Sequence, residues 1–94
     1  MLYAWGMLNP IVRSATKELR LILGMSQTKF GQLIGKSLNT VQRIETLVPA
    51  SGEVLATLNR EALKAGEAAL AEIFLDALAD ELGVDSVSLI HRSS

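Results

Sequence analysis

Apolar residues return every three or four positions through most of this chain, the spacing of helices that pack on one side. No stretch reads as a strand. A first helix is expected to open at Asn9-Pro10, because Asn caps well and Pro suits a first helical position, where its missing N–H had no partner. Val12, Ala15, Leu19, Ile22 and Leu23 carry its stripe, and Gly24 stops it. A second helix follows Ser26, with Phe30, Leu33 and Ile34 inward and Gly35 at its exit. Ser37 caps a third, whose buried side is Val41 and Ile44. Lys29 and Thr40 stand where a capping box wants Glu or Gln, so each cap is half made. Pro49 interrupts the pattern. Ser51 or Gly52 opens a fourth helix along Val54, Leu55, Leu58, Ala62 and Leu63. Gly66 reads as its end rather than as a weak point in a longer helix.

A fifth helix is expected from about Glu67 to Leu82, closed by Gly83. Leu70, Ile73, Phe74, Ala77 and Leu78 make its stripe, and Leu75 and Ala79 widen it. A stripe that wide faces either the core alone or the core and a second subunit. Residues 84–94 read as a short tail, partly extended through Val87, Leu89 and Ile90. No repeat or low-complexity segment interrupts this plan.

Length adds that this is one small domain with a modest core, which a partner chain often completes. Apolar residues make up 49% of the chain and charged ones 20%, rich enough that some apolar surface is expected to meet another surface. No cysteine is present, which excludes a disulfide scaffold and a Cys-based zinc site and fits a reducing interior. MLYAWGMLNPIVR has neither a basic leader nor a long apolar run, and no stretch reaches the ~20 apolar residues that span a bilayer. The expectation is a soluble, cytoplasmic protein without membrane association.

The net charge of −1 hides a split. Ile11 to Leu47 holds six basic residues (Arg13, Lys17, Arg20, Lys29, Lys36, Arg43) against two acidic ones, a balance of +4. Val48 to Ser94 holds three basic and eight acidic residues, a balance of −5. Such asymmetry suggests one half meeting a polyanion, or two solvated faces that differ by chance.

Within the basic half lies SQTKFGQLIGKSLNTVQRIE, residues 26–45. Two short helices joined by a glycine turn form a helix-turn-helix unit. Gly31 costs ~1 kcal/mol relative to Ala in mid-helix, so its presence predicts a close crossing. The outward residues are polar or basic: Gln27, Lys29, Lys36, Ser37, Asn39, Thr40, Gln42 and Arg43, with no carboxylate until Glu45.

The combination Ser26-Gln27, Gly31, Gly35 and Arg43-Ile44-Glu45 resembles the helix-turn-helix of the phage lambda Cro and repressor proteins and their bacterial relatives, the Xre family. The resemblance extends more loosely over Asn9 to Ala65. It implies an all-α, five-helix lambda-repressor-like domain: an arm at 1–8, a DNA-binding core at 9–65, a C-terminal dimerisation helix at 66–83 and a tail at 84–94. It also implies a transcriptional regulator, a repressor that reads an inverted repeat of double-stranded DNA as a homodimer. Leu38, Asn39, Gln42 and Arg43 would then read bases. Arg43 suits guanine, Asn39 suits adenine, and Leu38 suits a thymine methyl. Gln27, Lys29, Lys36, Ser37 and Thr40 would hold phosphates, and Arg13, Lys17 and Arg20 would extend the footprint. Leu70, Ile73, Phe74, Leu75 and Leu78 would form the dimer interface. The family places a small or apolar residue at position 36 and a polar one at 38; here the two are exchanged. Either Leu38 reads bases, or it packs inward while Lys36 reaches DNA.

The competing expectation is an antitoxin-like or adaptor protein whose C-terminal half binds another protein, with DNA binding secondary or absent. An enzyme is not expected. No phosphate-cradling glycine loop is present, and no histidine lies near a nucleophile. The sole histidine, His91, is in the tail, and Asp76, Asp80 and Glu81 read as a solvated helix side. No metal or cofactor is implied. Tyr3 and Trp5 are expected to anchor the N-terminal arm.

Overall fold

A computed structural model describes the backbone of residues 5–82 and the side chains of residues 10–81. The expectations for Tyr3, Trp5, Gly83, His91 and the tail lie outside those described residues. The rest is all-helical, with five helices and no strand among the described residues: α1 (Trp5–Ile22), α2 (Gln27–Ile34), α3 (Leu38–Thr46), α4 (Gly52–Lys64) and α5 (Ala68–Leu82). None of these helices is long and apolar enough to cross a membrane.

The caps follow the serines. Ser26, Ser37 and Ser51 have extended backbones, and their hydroxyl oxygens accept from the amides of Lys29, Thr40 and Val54. Each satisfies an amide that the first turn leaves without a helical partner. At the far end of α2, Gly35 turns left-handed at φ +73°, and the Lys36 amide donates back to the Gly31 carbonyl at 2.7 Å. That reversal points the chain into α3 within three residues.

The start of α1 differs from the sequence-based expectation. The helix begins at Trp5 and runs through Pro10. Proline has no N–H for the Gly6 carbonyl, so one rung is missing, yet position 8 continues the four-residue spacing of Val12 and Thr16. The expected start at Asn9-Pro10 is therefore an interior position of α1.

One buried cluster joins all five helices through Leu19, Phe30, Val41, Leu58 and Phe74, among others. α5 packs on both α4 and α1. It is therefore part of the same core as residues 9–65 and not a separate appendage. The Asn59 amide of α4 donates to the Ala71 carbonyl of α5 at 2.7 Å and helps fix their register.

Three apolar side chains expected inward are exposed: Ile22, Leu33 and Leu63. All lie in the last turn of their helices. Conversely, Thr16 is fully buried, because its hydroxyl donates to the Val12 carbonyl at 2.7 Å and leaves only its methyl side to the core.

The close crossing that Gly31 predicts is present. A Cβ there would stand 2.5 Å from the Lys36 carbonyl oxygen and 3.2 Å from Val41 Cγ2. Gly31→Ala gains ~1 kcal/mol of helix propensity, but it forces the turn backbone away from α2. The expected net result is a loss of about 1–3 kcal/mol in urea unfolding. Unchanged or raised stability would mean that the crossing has slack.

Candidate nucleic-acid interface

α2, the Gly35–Ser37 turn and α3 form a corner, and α3 presents its polar side outward. Val41, Ile44 and Glu45 are buried against the core. At about 100° per residue, Asn39, Gln42 and Arg43 share the opposite side in one arc of roughly 100°, and Leu38 stands at its edge, on the Glu45 side. All four are exposed. Leu38 is 43% exposed, so of the two arrangements open for it, inward packing is not the one adopted. No side-chain hydrogen bond occupies Asn39, Gln42 or Arg43 among the described residues. Their donors and acceptors stand free.

The residues expected at phosphates divide. Lys29 is exposed at the start of α2. Ser37 is spent on its cap: its oxygen accepts from the Thr40 amide at 3.2 Å, and its hydroxyl donates to Thr40 Oγ1 at 3.1 Å. Thr40 keeps its own hydroxyl proton for an outside acceptor. Lys36 is half-buried, with Nζ 3.6 Å from a carboxylate oxygen of the exposed Glu53. A pair that open to water holds the lysine only weakly.

Gln27 and Arg20 are engaged internally. Glu45 accepts from Arg20 Nε at 2.8 Å and Arg20 Nη2 at 3.2 Å, a two-pronged contact. It also accepts from Gln27 Nε2 at 3.2 Å. Arg20 Nη1 donates to the Met25 carbonyl at 3.1 Å. The Arg20 side chain is 11% exposed and that of Glu45 is 2% exposed. Arg20 is thus withdrawn from the outer surface, while Lys17 is exposed and Arg13 partly so. Gln27 retains one amide hydrogen for an outside partner and is held in place by Glu45.

Sequence reasoning passed over this network, treating Glu45 only as the last residue of a motif. One signal pointed to it: Glu45 lies four residues after Val41, on the buried spacing. The consequence is electrostatic. Glu45 is the only carboxylate between Glu18 and Glu53, and Arg20 neutralises it inside the fold. The outer face of the corner therefore carries Lys29 and Arg43 with no exposed carboxylate on α2 or α3.

On α5, the five residues expected at a dimer interface also divide. Leu70 is 5% exposed and Phe74 is 0% exposed, both enclosed by this chain's own core. They are not available to a second subunit, because α4 and α1 already cover them. Ile73, Leu75 and Leu78 are half-buried.

Comparison with protein-family models, with curated proteins and with solved structures returned no significant match. The class that fold and surface define is accordingly broad: a small all-helical domain with a polar, cationic corner.

Proposed function

We propose that this chain is a helix-turn-helix protein of the lambda-repressor-like type that binds specific double-stranded DNA and regulates transcription, as a repressor. α3 enters the major groove, where Arg43 and Asn39 read base edges, Gln42 assists and Leu38 meets a thymine methyl. Lys29, Thr40 and Gln27 contact phosphates, with Lys36 within reach once it leaves Glu53. The observation that carries this reading is the outward arc of α3. Its side chains have unspent hydrogen-bonding groups or, at Leu38, open apolar surface, while the one carboxylate on α2 and α3 is buried and paired. A corner used only as scaffold does not require such an arrangement.

As a homodimer, two such helices ~34–36 Å apart would read an inverted repeat. Ile73, Leu75 and Leu78 are the α5 residues left for that contact, which is less apolar surface than the stripe promised. The same burial narrows the surface open to the second reading, in which the C-terminal half engages a different protein.

Selection from a random duplex library tests the first reading. A two-fold symmetric enriched site is the expected result, with binding that weakens as salt rises. No enrichment by the folded, helical chain would sink the DNA reading.

A further inference from the structure

α1 and α5 leave between them an open groove of about 340 Å³, lined by Pro10, Ile11, Ser14, Ala15, Glu18 and Ile73. Its floor is apolar: Ile11 and Ile73 are half-exposed, and Ala15 is buried beneath them. Its charge is of one sign. Glu18 stands in the wall, exposed. On α5, at about 100° per residue, Glu72, Asp76 and Asp80 fall in one strip beside Ile73. Glu72 is exposed, and Asp76 and Asp80 are partly so. α5 contains no lysine or arginine. Among the described residues, none of these four carboxylates joins an ion pair. On α1, Arg13 and Lys17 are not among the groove-lining residues; at about 100° per residue they border its Pro10 side, away from Ala15.

We propose that this groove docks a short basic amphipathic segment of another protein. One bulky apolar side chain of the segment sits on Ile11, Ala15 and Ile73, and flanking lysines or arginines meet Glu18, Asp76 and Asp80. Charge complementarity selects this occupant. A nucleic acid would bring phosphates against carboxylates. A second copy docked through the same face would set two acidic strips against each other, because a two-fold contact uses one patch twice. A cationic segment meets both the floor and the rim. The inference stands whether or not the corner of α2 and α3 binds DNA.

The test is a selection of random peptides, displayed on phage, against the full chain. The expected winners carry a Leu, Ile, Phe or Trp flanked by Lys or Arg. Their affinity should fall at least about tenfold with Asp76→Lys/Asp80→Lys, because like charges then face each other. Ile73→Glu should also abolish binding, and Lys29→Ala should leave it unchanged. The charge-reversed variant changes only partly exposed side chains, so retained helicity separates loss of docking from loss of fold. Three results would overturn the proposal: no enriched peptide, enriched peptides without a basic character, or binding indifferent to both sets of groove substitutions. A wild-type dimer that Ile73→Glu dissociates would also overturn it, by giving the groove to a second copy.

Discussion

Replacing Asn39 and Arg43 together by alanine is expected to remove roughly 2–6 kcal/mol of binding to the selected duplex, since each bidentate base contact contributes ~1–3 kcal/mol. Both side chains lie on the outward arc of α3 and support nothing in the core. Unfolding free energy should therefore stay within about 0.5 kcal/mol of the parent. The discriminating measurement is affinity for two duplexes, the selected site and one of scrambled sequence. A base-reading role predicts a steep loss on the first and a small one on the second. The small loss comes from the charge of Arg43, which contributes to attraction for any polyanion. Equal losses on both duplexes would reassign Arg43 to a phosphate. Unchanged affinity for both would remove α3 from the interface.

The other large effect belongs to Glu45. Glu45→Ala leaves the Arg20 guanidinium largely enclosed without its counter-charge and deprives Gln27 of its acceptor. Removing one partner of a buried ion pair costs about 3–5 kcal/mol. That is a large share of the ~5–15 kcal/mol that holds an ordinary domain together. The variant should unfold at much lower urea concentration. Arg20→Met/Glu45→Leu, which removes both charges and keeps apolar volume, should recover most of the loss, because two desolvation penalties vanish together. A Glu45→Ala cost below about 1 kcal/mol would show that water reaches Arg20 freely. The double variant has a second use. If it folds but binds its selected duplex poorly, then the network orients Gln27 and α3 as well as stabilising them.

Much of the helical plan was legible because the signals are local. Serine caps, glycine exits and apolar spacing act within a few residues, and they placed α2, α3 and α4 close to their observed limits. The start of α1 was misplaced, because the Asn9-Pro10 pair that suits a helix start lies inside the helix. The reading of Leu70 and Phe74 as a dimer surface failed for a different reason. Periodicity shows which side of a helix is apolar, but not how many neighbours the same chain will lay against it. α5 is gripped by α1 as well as α4, and that closes most of its stripe.

The sequence alone determined that this protein is a set of amphipathic helices with a sharp glycine corner, a cationic first half and an acidic second half. Backbone preference and charge are properties of the residues themselves. Only the tertiary structure decided which groups remain free. It brought Arg20, Gln27 and Glu45 together from three helices, left Leu38, Asn39, Gln42 and Arg43 outside, and opened a groove with Glu18 in its wall between α1 and α5. Those outcomes depend on contacts between residues far apart in the chain. The cost of burying an unpaired charge or polar group selects among them, and that cost does not exist until the helices pack.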